Sequence, residues 1–330
     1  MARLTVFGAG AMGTALAMHA SRAGLDTALW ANPHDDRVLQ ALRTAGKHPA
    51  LPEHVPASLA IHGPDELDRA AKDVEIAVLA ATSDTARSLA GMVREAVGDA
   101  RFLVSLAKGV ESETGQRVSE VYGAELPGPP VVIVAGPCLA AELAGGAPSA
   151  AVWASASVAD ARAAGEPVAG PAYQLSYTDD LVGAEYCTTA KNVAALGMGL
   201  LDGLGKLSDE SFRNAKAALF TKAVQEMCEL VEALGGRRET AMGLAGVGDV
   251  MVTGAGGRNR LLGELIGEGD EPGAALRQLE GRGMTVEGVA SAADVHRLAG
   301  RTELDLPYHR AVYRILFEAE DPRTILDVLV

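Results

Sequence analysis

The run "LTVFGAGAMGTALA", Leu4 to Ala17, constrains the possible fold more than any other part of this chain. A short apolar, β-branched segment leads into Gly8, Gly10 and Gly13 in GxGxxG spacing, and a stretch of small helix formers follows. The first two glycines allow a tight turn and close backbone approach to a pyrophosphate at the positive N-terminus of the helix. The third lets that helix pack on the strand. The spacing alone would also fit an ordinary glycine-rich turn, so the surrounding pattern decides. "LTVFG", "TALWA", "EIAVLAA", "RFLVSLA" and "VVIVAG" read as buried strands alternating with helical segments. That alternation predicts a doubly wound parallel α/β sheet with helices on both faces, a Rossmann-like fold that binds a dinucleotide.

"AAVWAS" and "YQLSY" read as two later strands, and beyond about Gly183 strand signals stop. "AKAALFTKAVQEMCELVEALGG" has the apolar spacing of a long helix closed by glycine, and "TVEGVASAADVHRLAG" and "YHRAVYRILFEAE" read as further helices. The expected organisation is a dinucleotide-binding domain over 1–181 and an all-α substrate-binding domain over 182–330. No internal repeat is visible.

A formal net charge of −14 argues against a nucleic-acid surface or an anionic membrane as partner, because both require a basic face. An anionic substrate must then be met by a local pocket. The chain runs at once into a strand, which predicts no signal peptide, and no apolar stretch has the length of a membrane span. Cys138, Cys187 and Cys228 lack metal-ligand spacing, so no metal is expected and a reducing cytoplasm is the simplest setting.

Lysine is scarce here. Of 29 Lys+Arg residues only Lys47, Lys72, Lys108, Lys191, Lys206, Lys216 and Lys222 are lysines. Arginine keeps its proton at working pH, whereas a desolvated lysine can exchange one. Lys191 stands inside the small, apolar run "CTTAKNVAALGMG", which suggests either a proton-exchanging amine or a stem lying along apolar surface with its head in water. Ligands of such sheets bind outside the carboxyl ends of the strands. Thr82 and Ser83, then Lys108, then Gly136, Pro137 and Cys138 follow three successive strands there. At the end of the second strand Asn32 replaces the usual ribose-binding acid, and Arg37 follows. An asparagine does not repel a 2′-phosphate, which tilts the expectation toward NADP(H) and leaves NAD(H) open. In the helical half, "GLAGVGDVMVTGAGGRNR" puts Thr253 one helical turn after Asp249, with Arg258 and Asn259 at an apparent helix start suited to an oxyanion or phosphate. Taken singly, Asp249 could equally be a helix cap and Arg258 a surface charge.

Six segments in this order, "GAGAMGTALA", "SLAKGVE", "AGPCLAAELAGGAPSA", "AKNVAALGMGLLDGLG", "GLAGVGDVMVTGAGGRNR" and "TVEGVASAADVHRLA", resemble the bacterial-type NAD(P)-dependent sn-glycerol-3-phosphate dehydrogenases. The resemblance runs from Val6 to about Phe317. It implies a Rossmann domain followed by an all-α domain, and interconversion of dihydroxyacetone phosphate and glycerol 3-phosphate in phospholipid synthesis. It also implies a cytoplasmic homodimer with a small phosphorylated ketone or alcohol as substrate. By the same resemblance Lys191 is the catalytic acid/base, with Lys108 and Asp249 beside the reacting end. Lys108, Gly136, Cys138, Thr253, Gly257, Arg258 and Asn259 would meet substrate. Gly8, Gly10, Ala11, Met12, Gly13, Asn32, Lys108, Ala140, Arg258, Thr285 and Glu287 would meet cofactor.

Cys138 stands where the family usually has Ser or Thr, and two further departures stand out. The chain inserts "KLSDESFR" before Asn214, and it has the shorter "TGAGGRN" with Gly257 in place of a serine. Both are expected near the substrate pocket, which admits a larger ketose or polyol phosphate as substrate. Related folds that oxidise 3-hydroxy acids, and a nicotinamide sensor without catalysis, are the remaining alternatives.

Overall fold

In the computed structural model, which describes residues 3–329, the chain divides into two compact units, 1–181 and 182–330. The first unit is built on eight strands: β1 (Arg3–Phe7), β2 (Asp26–Trp30), β3 (Ala60–His62), β4 (Ile76–Leu79), β5 (Phe102–Ser105), β6 (Val131–Ala135), β7 (Ser149–Ser155) and β8 (Tyr173–Thr178). They form one sheet in the order β3-β2-β1-β4-β5-β6-β7-β8. Every neighbouring pair is parallel except β6 with β7. Helices α1 (Ala11–Arg22), α2 (Asp36–Ala45), α3 (Leu67–Ala71), α4 (Ala86–Val93), α5 (Val118–Glu125), α6 (Ala140–Gly145) and α7 (Val158–Gly165) connect or follow these strands.

Alternate residues of one strand serve opposite faces. Leu4, Val6, Ile76 and Val78 belong to one core cluster, with Leu16 and Met18 of α1. Phe7, Ala77 and Leu79 belong to the other, with Leu89, Val93 and Tyr122. Because both faces are covered, the strands read as nearly continuous apolar runs. β1 is followed by α1 and β2 on one side and pairs with β4 on the other, so strand order reverses between β1 and β4. Such a reversal opens a crevice at the strand carboxyl ends, where α/β sheets bind ligands. β3 was not expected from the sequence. It is a three-residue edge strand, too short to show alternation.

The second unit is helical among its described residues. α8 (Leu181–Ser208) begins at the division and is followed by α9 (Arg213–Ala233), α10 (Arg238–Met242), α11 (Asp249–Ala255), α12 (Arg258–Gly267), α13 (Pro272–Gly281), α14 (Gly288–Thr302) and α15 (Pro307–Phe317). Among the described residues no helix is long and apolar enough to cross a membrane.

α8 and α12 meet backbone to backbone. A β-carbon on Gly199 would strike the carbonyl of Arg260, and one on Gly203 that of Glu264. On the facing helix, Gly263 and Gly267 lie against the carbonyls of Leu196 and Leu200 in the same way. In each pairing both residue numbers rise together, so the two helices run parallel. Lys206 bridges this seam to Glu264 and Glu268, and Asp202 bridges it to Arg260 at 2.7 Å. Gly263→Ala should force the helices apart and destabilise the protein by about 3 kcal/mol, near the upper end for overpacking. Gly281→Ala, at an open position on α13, should change stability by no more than about 1 kcal/mol. Urea-unfolding midpoints of the two variants compare these outcomes directly.

Candidate active site

In the first unit, Gly8 adopts a φ of +111°, which turns β1 sharply into α1. A β-carbon on Gly13 would lie 2.6 Å from the Gly8 carbonyl oxygen and 2.7 Å from the Ala80 methyl, so helix, turn and β4 pack at closest approach. Gly10 differs, because a β-carbon there would meet nothing within 4 Å. Gly10 is the N-cap of α1, and no side chain caps that helix. The first amides of α1, those of Ala11 and Met12 among them, therefore remain for an anion, which fits a pyrophosphate.

The turn is held by a residue that sequence reasoning missed. Asp35 Oδ2 accepts the N–H of Ala9 at 2.9 Å and that of Asn32 at 3.0 Å, joining the glycine turn to the end of β2. The side-chain Oδ1 of Asn32 accepts the His34 N–H at 2.7 Å. Arg37 is exposed on α2. The only advance signal for Asp35 was an acid shortly after β2, displaced by a few residues from where the fold usually carries one.

Lys108, Gly136 and Cys138 line one small apolar pocket with Met12, Leu106 and Tyr173. Burial pushes the Tyr173 hydroxyl well above the ordinary tyrosine range, and the adjacent Cys138 adds to this. Ala140 is the first residue of α6, just beyond. Thr82 caps the turn at Ser83–Thr85, exchanging a 2.9 Å hydrogen bond with Thr85. The loop after Lys108 is anchored by Arg87, whose guanidinium donates to both oxygens of buried Glu111 at 2.9 and 2.8 Å. That pairing holds the Glu111 carboxyl below the usual carboxylate range, helped by the Thr114 hydroxyl. A carboxyl depressed on folding contributes stability above its ordinary pKa and loses it as pH falls through the lowered value. The anchor is thus complete at neutral pH and fails only in acid. Glu111→Gln should cost about 1–2 kcal/mol, less than a fully buried pair because Arg87 is partly exposed. It should also raise hydrogen exchange across 106–117, which mass spectrometry can follow.

In the second unit, Lys191 lies in the middle of α8 at 5% exposure, not stretched toward water. Its Nζ donates to Asp249 Oδ1 at 2.7 Å and to Thr253 Oγ1 at 3.1 Å, and Thr253 Oγ1 donates to the same carboxylate oxygen at 3.2 Å. Asp249 and Thr253 stand one turn apart on α11, as their spacing requires. A π-helical turn over Leu244–Gly248 delivers Asp249 to this position. Asp249 is the first residue of α11, and its carboxylate Oδ1 accepts from both Lys191 and Thr253.

Arg258 and Asn259 open α12, whose first turn is uncapped by any side chain. Arg258 is exposed and Asn259 buried. The carboxamide of Asn259 reaches inward: its Nδ2 donates to Asn192 Oδ1 at 2.9 Å, and its Oδ1 accepts the Gly288 N–H at 2.9 Å. Thr285 is exposed and Glu287 half-buried in the segment leading into α14. Gly257, the N-cap of α12, has φ +100° and ψ 174°, a conformation only glycine adopts without strain. The serine that the family usually places there would be strained on this backbone.

The insertion "KLSDESFR" begins at the C-terminal end of α8. Lys206 to Ser208 form the last turn of α8, and Arg213 begins α9. Lys206 follows Lys191 by fifteen residues, roughly 22 Å along the helix axis. Among the described residues no cluster of three or more His, Cys, Asp or Glu could hold a metal ion.

A dinucleotide cradle in one unit, and in the other a buried lysine–carboxylate pair on the helix that packs along one with an arginine at its open N-terminus, define a nicotinamide-dependent dehydrogenase. Comparison with known proteins specifies which. Residues 3–161 match the N-terminal domain, and residues 180–327 the C-terminal domain, of NAD-dependent glycerol-3-phosphate dehydrogenase, and the chain belongs to that family. A glycerol-3-phosphate dehydrogenase [NAD(P)+] of Salinibacter ruber is 35% identical over 99% of this chain and 94% of its own length. An NADP(+)-dependent glycerol-3-phosphate dehydrogenase of Archaeoglobus fulgidus is 30% identical over 96% of this chain and 95% of its own. The crystal structure of glycerol-3-phosphate dehydrogenase from Coxiella burnetii superposes with a TM-score of 0.89 at 29% identity, covering 99% of this chain and 98% of that one.

Proposed function

We propose that this protein interconverts dihydroxyacetone phosphate and sn-glycerol 3-phosphate with NAD(P)(H), and that Lys191 is the proton donor and acceptor. The observation that carries the reading is the buried Lys191–Asp249–Thr253 cluster. A proton on Nζ is held there in a defined direction, on a lysine that the apolar helix would otherwise not accommodate.

The cradle at Gly8, Gly10 and Gly13, with the amides of Ala11 and Met12, is suited to the cofactor's pyrophosphate. Asn32 is assigned to the adenosine end, and Ala140, Thr285 and Glu287 to further cofactor contacts. When bound, the cofactor supplies or accepts a hydride. In the reducing direction Lys191 would give its proton to the ketone oxygen as negative charge develops there. Asp249 and Thr253 orient the ammonium, and the Asp249 carboxylate balances its charge until the proton leaves and again when it is regained. Arg258 and the uncapped first turn of α12 hold the phosphate dianion, a guanidinium fork combined with helix amides. Lys108, beside Gly136 and Cys138, adds positive potential toward the substrate. Gly257 supplies the bend that opens the phosphate-binding turn. The same reading carries a cytoplasmic homodimer, with no disulfide among its three cysteines.

The two sequence departures no longer favour a larger substrate, since the insertion lies far along α8 and Gly257 answers a backbone requirement. Oxidation of NADH and NADPH with ketose phosphates of three to six carbons should show turnover centred on the three-carbon compound. Preference for a longer one would overturn the substrate assignment. Lys191→Ala should lower kcat by roughly 10²–10⁴, the range for a lost general acid. Unchanged turnover in a folded variant would remove Lys191 from that role.

A further inference from the structure

Gly288 N–H donates to Asn259 Oδ1, Asn259 Nδ2 donates to Asn192 Oδ1, and Asn192 Nδ2 donates to Ser291 Oγ at 3.2 Å. Four residues from three helices thus form one buried chain of hydrogen bonds, with exposures of 7% for Asn259, 1% for Asn192 and 4% for Ser291. A backbone amide can only donate, so Gly288 fixes which end of the Asn259 carboxamide is oxygen. The nitrogen of Asn259 must then face the oxygen of Asn192, and the nitrogen of Asn192 must face Ser291. One amide proton therefore sets the direction of the whole relay. The chain also fits the glycine of "TVEG": a β-carbon at position 288 would lie 3.0 Å from Asn259 Oδ1 and 3.2 Å from its Cγ, crowding the carboxamide that the amide at 288 holds.

Three of the four members adjoin a residue given a role above. Asn192 follows Lys191, Asn259 follows Arg258, and Gly288 follows Glu287. We infer that Asn192, Gly288 and Ser291 are positioning residues: through the carboxamide of Asn259 they lock the Glu287 segment and the Arg258 helix start to the turn of α8 that carries Lys191. Asn259 accordingly serves first as a linker. One Nδ2 proton and its backbone amide remain for an anion. The inference rests on the proposed function for the roles of the three neighbours, whereas the relay itself is tested without them.

The experiment uses the full-length protein with Ser291→Ala, which removes the terminal acceptor at almost no change in volume, and Gly288→Ala, which wedges the opposite end. Hydrogen exchange resolved at the residue-288 amide should quicken about ten-fold or more in Ser291→Ala, as expected when a buried polar chain loses a member. Amides in the middle of α9 should keep wild-type protection. In steady-state assays both variants should share one signature: KM for the nicotinamide cofactor raised several-fold, and kcat lowered, with Ser291→Ala still folded and its unfolding midpoint only modestly reduced by the donor left unpaired on Asn192. Wild-type exchange at position 288 with kinetic constants within two-fold of wild type would overturn the relay. If the wild-type protein turns over no ketose phosphate, the functional reading fails, and exchange at position 288 alone then decides whether the relay exists.

Discussion

The contact on which the second unit depends is the glycine seam between α8 and α12. Most helix pairs are held 8–10 Å apart by side chains, whose rotamers leave some play in register. Here Gly199 and Gly203 on one helix, and Gly263 and Gly267 on the other, remove the spacers and let carbonyl and Cα meet. A contact of this kind has one register. It is also parallel, which brings the N-terminus of α12 beside the middle of α8. The positive end of the α12 dipole, its uncapped amides and Arg258 are thereby fixed relative to Lys191, and the Asn192–Asn259 hydrogen bond is the uppermost rung of the same ladder. Positioning of this kind contributes to catalysis only if it is stiff, and backbone packing is stiffer than any side-chain contact.

A parallel pair needs a long connection, and the chain between the two helices is not idle. α9, α10 and α11 occupy it, and the π turn before α11 brings Asp249 and Thr253 to Lys191. Thus the segment that topology demands also carries the partners of the buried ammonium. The first unit uses a different device, a charged side chain acting on a loop. Asp35 ties the glycine turn to β2, and Arg87 ties the loop after Lys108 to α4. Both anchors fix a loop backbone at the carboxyl ends of the strands.

Much of this was legible in the amino-acid sequence, for identifiable reasons. Strands buried on both faces announce themselves as apolar runs, and GxGxxG between a strand and a helix has few other uses, so β1, β2 and β4 to β8 could be placed. Apolar runs carry no direction, however, and the antiparallel pairing of β6 with β7 left no trace in them. Lys191 stood out because lysine is rare in this chain and rarer still among small apolar neighbours. Asp35, Arg87 with Glu111, and Asn192 with Ser291 did not stand out. Their meaning lies in partners 24 to 99 residues away, and a polar residue whose partner is unknown looks like any other. The place of the insertion was hidden for a related reason: its distance from Lys191 follows from the length of α8, which runs unbroken for 28 residues and ends within it.

That unbroken helix has a practical side. Its last turn and the short link at 209–212 project the chain's extra residues to the end of a rod whose working section lies several turns earlier. Length can be added or removed at such a tip without bending the rod. The same tip is therefore the natural place to graft a fluorophore or an affinity handle, and one where relatives can diverge in length while their chemistry stays the same.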